Sequence, residues 1–135
     1  MCDHLKDWII KHEGIKLYPY SCPAGKTTIG VGRNLTDVGL TTEEALYLLD
    51  NDIDRCRHSL LAYPWFTRQP EVIQNCLINM CFNLGIAGLL KFKNMIKALQ
   101  EHDYEAAAHH ALDSRWARQV PNRAKDVVKV MRSVC

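Results

Sequence analysis

The sequence predicts an α+β fold, mostly α, with a small N-terminal β-hairpin region followed by a larger helical lobe. Three observations carry that prediction. Apolar residues recur at helical spacing up to Glu13, and the periodicity then changes. The run Thr27-Thr28-Ile29-Gly30-Val31-Gly32 is β-branched and rich in glycine, and it comes after a turn-rich stretch. From Thr41 onward the spacing is helical almost throughout. The 135 residues amount to about one domain, long enough to bury a core without disulfides.

Each element has a local reason. From Asp3 to His12, Leu5, Trp8, Ile9 and His12 share a helical face, and Gly14 is a stop, so a first helix ends near Glu13. Lys16-Leu17-Tyr18 reads as a strand that Pro19 interrupts. Ser21 to Lys26 is turn chemistry, Thr27 to Gly32 a second strand, and Asp37-Val38-Gly39 another turn. Thr41 and Glu44 form a capping box that opens a helix with Ala45, Leu48, Leu49, Asp52, Ile53 and Cys56 on one face. Pro64 and Pro70 bracket a break. Glu71 to Leu84 is apolar on most sides, which predicts the central, most buried helix, ended by Gly85. Shorter helices are expected at about 86–90, 94–100, 103–112, 114–119 and 123–134.

Composition narrows the function. A hydrophobic share of 47% with 24% charged residues is near the globular norm and argues against disorder. Uninterrupted apolar runs reach about five residues, as in Ala45 to Leu49, against the roughly 20 of a membrane span. The N-terminus has acids where a secretory signal has bases, so synthesis as a soluble cytosolic product is expected. Net charge is +2, with a modest basic rise after Ser114 (Arg115, Arg118, Arg123, Lys125, Lys129, Arg132), which reads as a solvated helix face or an attraction for an anionic substrate. It lacks the clustered basic face of a nucleic-acid binder. Six cysteines, at 2, 22, 56, 76, 81 and 135, show neither C-x-x-C pairs nor zinc spacing, so no zinc site is expected. Cys76 and Cys81 read as small buried hydrophobes, and Cys2 and Cys135 as candidates for cross-linking in an oxidising space.

Nucleotide-binding, metalloprotease and serine-hydrolase motifs are missing. Glu13 stands out as a carboxylate at the end of an amphipathic helix, where it opposes the helix dipole at a cost of roughly a few tenths of a kcal/mol. It is either an exposed acid or a proton donor held in a cleft. Cys22 and Thr28 come next with the spacing Glu-x8-Cys-x5-Thr, and a hairpin beginning after Glu13 would fold both back toward it. An acid, a soft acceptor and a hydroxyl around one point suit glycoside hydrolysis, which needs a proton for the leaving oxygen and a group that activates or replaces water.

At these residues the chain resembles the phage-type lysozymes, the endolysins of glycoside hydrolase family 24. The resemblance rests on His12-Glu13-Gly14-Ile15-Lys16-Leu17-Tyr18, on Thr27 to Gly32, on Leu77-Ile78-Asn79-Met80-Cys81-Phe82-Asn83 before Gly85, and on Ser114-Arg115-Trp116 with Gln119 to Ala124. It runs from about Leu5 to Val134. It implies a single lysozyme-like domain, with a β-containing lobe at about 14–58, a helical lobe at about 1–13 and 59–135, and a cleft between them. The segment from Arg33 to Thr41 is only about eight residues, so a reduced β lobe is expected. The implied reaction is cleavage of the β-1,4 bond between N-acetylmuramic acid and N-acetylglucosamine in peptidoglycan, without a cofactor.

The resemblance puts Glu13 on the general acid and Thr28 on a threonine that helps hold the attacking water. Cys22 falls where family members carry Asp or Cys. An unperturbed thiol is only a few per cent ionised near pH 7, so Cys22 is a poor base unless its pKa is depressed. Arg123 matches an arginine near the acid, and Phe82 a cleft-facing aromatic. Asn34 and His110 match substrate-contact positions, Arg115-Trp116 with Asn83 a polar cluster, and Arg33 with Asp52 a cross-domain ion pair. A monomer is expected, made in a host cytoplasm and reaching the cell wall with a holin-type release partner. The alternatives are a lytic transglycosylase on the same bond, a non-catalytic peptidoglycan-binding protein and a Cys-dependent hydrolase.

Overall fold

The computed structural model describes residues 2–134, with side chains from His4 onward. The side chain of Cys2, and Cys135 altogether, lie outside the described residues, as does any cross-link through them. The chain divides into two compact units, Met1–Tyr47 and Leu48–Cys135.

The first unit opens with α1 (Cys2–Glu13). Gly14 closes it, taking φ of 73° while its N–H donates to Ile10 O at 2.7 Å, the left-handed cap that favours glycine. Next comes a three-stranded antiparallel sheet of order β1-β2-β3, built from β1 (Lys16–Ser21), β2 (Thr27–Gly30) and β3 (Arg33–Asn34). Two expectations are corrected here. Pro19 does not end the first strand, because β1 is an edge strand, where a missing N–H is tolerated. Its register with β2 is irregular between Lys16 and Tyr20. The second strand stops at Gly30 rather than Gly32, because Gly30 and Gly32 take φ of 69° and 67° and turn the chain into β3. The capping box is present: Thr41 N–H donates to Glu44 Oε1 at 2.8 Å and Glu44 N–H to Thr41 Oγ1 at 3.1 Å. It opens α2 (Thr42–Leu60), which runs on into the second unit.

The second unit is helical: α3 (Pro64–Thr67), α4 (Glu71–Leu89), α5 (Lys93–Gln100), α6 (Tyr104–Leu112), α7 (Arg115–Gln119) and α8 (Pro121–Arg132). The proline-bracketed break thus holds a one-turn helix begun by Pro64, and α8 begins at Pro121, two residues before the expected start. Proline suits a first helical position, where its missing N–H would have no partner. Asp103 and Ser114 cap α6 and α7 through the N–H groups of Ala106 and Ala117, at 3.0 and 3.1 Å. Every buried hydrophobic residue described lies at Leu60 or beyond, with Phe66, Ile73, Leu77, Met80, Leu89, Leu99 and Met131 at the centre. Cys76 and Cys81 are among the buried residues, as expected. In α2, Ile53 and Cys56 pack on this core but Leu48 and Leu49 stay exposed, because the helix meets the core only from Ile53 onward.

α4 is the one helix among the described residues long and apolar enough to cross a membrane, with a mean hydropathy of 1.4. That corrects the expectation drawn from uninterrupted runs alone. Its character is that of a core helix: Ile73, Cys76, Leu77, Ile78, Met80, Cys81 and Leu89 are buried. Gly85, at φ 76° and ψ 163°, breaks it where the sequence predicts a stop.

Candidate active site

Glu13 ends α1 and its carboxyl lies against the backbone of Gly32, beyond the end of β2. A Cβ placed on Gly32 would meet Glu13 Oε1 at 3.0 Å and the carboxyl carbon at 3.3 Å. Only glycine combines that approach with the positive φ of this turn. Among the described residues of its own unit, none donates a side-chain hydrogen bond to the Glu13 carboxyl.

Cys22 and Thr28 come together at the β1–β2 turn. Cys22 N–H donates to Lys26 O at 2.9 Å and Gly25 N–H to Cys22 O at 2.8 Å, which folds the turn back on itself. The Lys26 N–H, then the Ala24 N–H, hold the Cys22 thiol below its ordinary pKa, and the Thr28 hydroxyl adds to them. Each donor favours the thiolate. Cys22 therefore ionises more readily than an ordinary cysteine. Thr28 is 4% exposed, and its hydroxyl also donates to Lys26 O at 3.1 Å. One hydroxyl proton serves one acceptor at a time, so the carbonyl and the sulfur compete for it.

Arg33 departs from expectation. Its partner is Glu44, with Nη1 to Oε1 at 2.8 Å and Nη2 to Oε2 at 2.5 Å, while Asp52 pairs with Arg55 one helical turn away. The fork of the guanidinium matches a carboxylate, whereas Asp52 has a nearer cation on its own helix. Arg33 Nη1 also donates to Gly39 O at 3.1 Å. Arg33, with the Thr41 N–H, holds the Glu44 carboxyl down to a pKa of about 2. Asn34 is occupied in the turn after β3: Nδ2 donates to Asp37 Oδ2 at 2.9 Å and Oδ1 accepts the Asp37 N–H at 3.1 Å. Its amide shapes this turn and keeps a second N–H and a second acceptor position for a further partner.

In the second unit the remaining predicted residues fall at two cavities. Phe82 and Arg123 line one of about 390 Å³ with Asn75, Asn79 and Arg57. Arg123 is held there by Asn79, Nε donating to Oδ1 at 2.8 Å and Nη2 to the carbonyl at 3.2 Å. His110 lines a second cavity of about 450 Å³ beside Trp116, Phe92 and Arg115. The expected polar cluster is present in part, as Trp116 Nε1 donates to Asn83 Oδ1 at 2.8 Å. Among the described residues no group of three His, Cys, Asp or Glu side chains is gathered for a metal ion.

Two features escaped the sequence. Glu44 was legible only as a cap, because its bond to Arg33 crosses a loop. Gln69 is 6% exposed; its amide donates to Trp65 O at 3.0 Å and Leu99 O at 2.8 Å, and its Oε1 accepts the Tyr104 hydroxyl at 2.6 Å. The one available signal was a polar residue between apolar helices, next to Pro70.

The family described as phage lysozyme matches residues 10–132. The chain is 25% identical to probable T4-type lysozyme 1 of Dictyostelium discoideum, over 98% of this chain and 96% of the relative. Probable T4-type lysozyme 2 of the same organism has the same identity and coverage. The pre-baseplate central spike protein Gp5 of Enterobacteria phage T4 is 24% identical over 94% of this chain, a match that takes in 27% of the spike protein.

Proposed function

Because the chain belongs to the phage lysozyme family, and is thereby a lysozyme-type glycoside hydrolase of peptidoglycan, we propose that it hydrolyses the β-1,4 bond between N-acetylmuramic acid and N-acetylglucosamine. Glu13 protonates the leaving oxygen. Cys22 and Thr28 hold and polarise the attacking water, and Thr28 steadies whatever charge develops on the sulfur.

One observation carries this reading: a thiol with a lowered pKa sits beside a buried threonine hydroxyl, in the same unit as a carboxyl without a side-chain partner there. A thiol at its ordinary pKa is mostly protonated at neutral pH, and the donors around Cys22 shift it toward the thiolate. Phe82 and Arg123 offer an apolar face and a guanidinium to a sugar, and His110 lies at a cavity able to take a further part of the substrate. Asn34 contributes by shaping its turn. In the cell the protein acts in lysis of a bacterial host, made in the cytoplasm and released to the wall by a holin-type partner.

The test is mass spectrometry of muropeptides after digestion of purified peptidoglycan, with Glu13→Gln as control. Hydrated reducing-end muramic acid that disappears in the variant is the expected result. Anhydro-muramic acid would mean transglycosylation and remove the water-holding role of Cys22. Undiminished turnover by Glu13→Gln would remove the acid assignment.

A further inference from the structure

Three observations in the first unit form a chain of contacts ending on the Glu13 carboxyl. The first is the approach of that carboxyl to Gly32, close enough that a Cβ there would stand 3.0 Å from Oε1. The second is the conformation of the Gly30–Gly32 turn, with positive φ at both glycines. Two glycines within three residues make a permissive backbone that needs outside support to hold one shape. The third is the anchoring of Arg33, the residue bonded to Gly32. Its guanidinium is pinned by both oxygens of Glu44 and by the Gly39 carbonyl, and Glu44 is itself fixed by the Thr41 capping box.

We propose that the Arg33–Glu44 pair is a positioning device for the Glu13 carboxyl, holding the Gly32 backbone as a rigid wall against which the acid rests. The proposal rests on Glu13 being the proton donor of the reaction. Neither Arg33 nor Glu44 touches substrate in this scheme; both act through Gly32. The forked geometry matters because two parallel N–H···O bonds fix direction as well as distance, which a single-point cation does not. Asp37 of this loop pairs with Lys26 of the β1–β2 turn at 3.3 Å and leaves the fork to Glu44. Displacing an acid by a fraction of an ångström costs proton transfer far more than it costs binding, so the effect falls on kcat.

The test uses the full chain and soluble peptidoglycan strands. Glu44→Gln keeps an acceptor for the capping box but removes the charge and one acceptor oxygen of the fork. The expected result is a fall in kcat of roughly tenfold with KM within about twofold of the wild type. A kcat within twofold of wild type, with only the melting temperature lowered, would overturn the proposal. Arg33→His supplies a second readout that does not depend on Glu44→Gln folding. Its ion pair exists only while the imidazole is protonated, so its activity relative to wild type falls as pH rises through about 6.5 and above. A ratio that stays flat and within about twofold of wild type from pH 5 to 8 would count against the positioning role. Glu13→Gln run in the same series separates the two readings. If it stays active, the acid assignment and the positioning role fail together. If it is inactive while Glu44→Gln and Arg33→His behave as wild type, only the positioning role fails.

Discussion

Replacing Gln69 with methionine tests what fastens three helices of the second unit. The side chain is 6% exposed and makes three hydrogen bonds, to Trp65 O, Leu99 O and the Tyr104 hydroxyl. Methionine keeps the volume and removes all three. The Leu99 carbonyl is not orphaned, because it also accepts the His102 N–H at 3.0 Å. The Trp65 carbonyl loses its donor outright, at about 1–3 kcal/mol for a buried polar group left unpaired. The Tyr104 hydroxyl, partly buried, loses its acceptor and adds up to about 1 kcal/mol. The expected destabilisation is thus about 1–4 kcal/mol, which for a domain of this size lowers the melting temperature by roughly 5–15 °C. Urea unfolding followed by tryptophan fluorescence measures it. Tyr104→Phe spares both amide–carbonyl bonds but leaves the buried Gln69 Oε1 without its donor, and is expected to cost about 1–3 kcal/mol. The reasoning fails if Gln69→Met unfolds within about 0.5 kcal/mol of wild type, or if Tyr104→Phe does.

Other outcomes rest on the same geometry. Iodoacetamide near pH 7 is expected to label Cys22 well before Cys76 and Cys81, which burial pushes up to about 11, Cys81 with Cys56 beside it; peptide mapping with the opposite order would contradict the donor set at Cys22. The Glu44 carboxyl has a folded pKa of about 2 against an ordinary 4.5, so its stabilising contribution is full above about 4.5 and is lost as pH falls toward 2. The stability gap between wild type and Glu44→Gln therefore closes over that acid window, and a gap constant from pH 6 to 2 would refute the ion pair. Trp116→Phe removes the indole donor to Asn83 and is expected to cost about 1 kcal/mol or more, read by the same urea titration.

Much of the fold was legible because its signals are local. Gly14 and Gly85 announce helix ends, and Thr41 with Glu44 announces a start, since each acts through residues within about one helical turn. The strand limits were harder. Pro19 is a breaker only if both strand edges are paired, and β1 has a free edge, which no local pattern reveals. The site was half legible. The spacing of Glu13, Cys22 and Thr28 marks them as a set, but the lowered pKa of Cys22 depends on which way the Lys26 and Ala24 amides point. Arg33 with Asp52 was a sensible pairing by charge; the choice of Glu44 depends on the short loop to Thr41 bringing a helix start within reach of β3. Gln69 left no periodic trace, because its three partners lie on three different helices.

Lys26 serves the β1–β2 turn with both of its backbone polar groups. Its carbonyl accepts the Cys22 N–H and the Thr28 hydroxyl, and its N–H is the foremost of the donors that lower the Cys22 pKa. The oxygen thus fixes the shape of the turn while the nitrogen biases the charge on the sulfur. Because both groups are main chain, neither depends on the residue type at position 26, and the side chain is left to pair with Asp37.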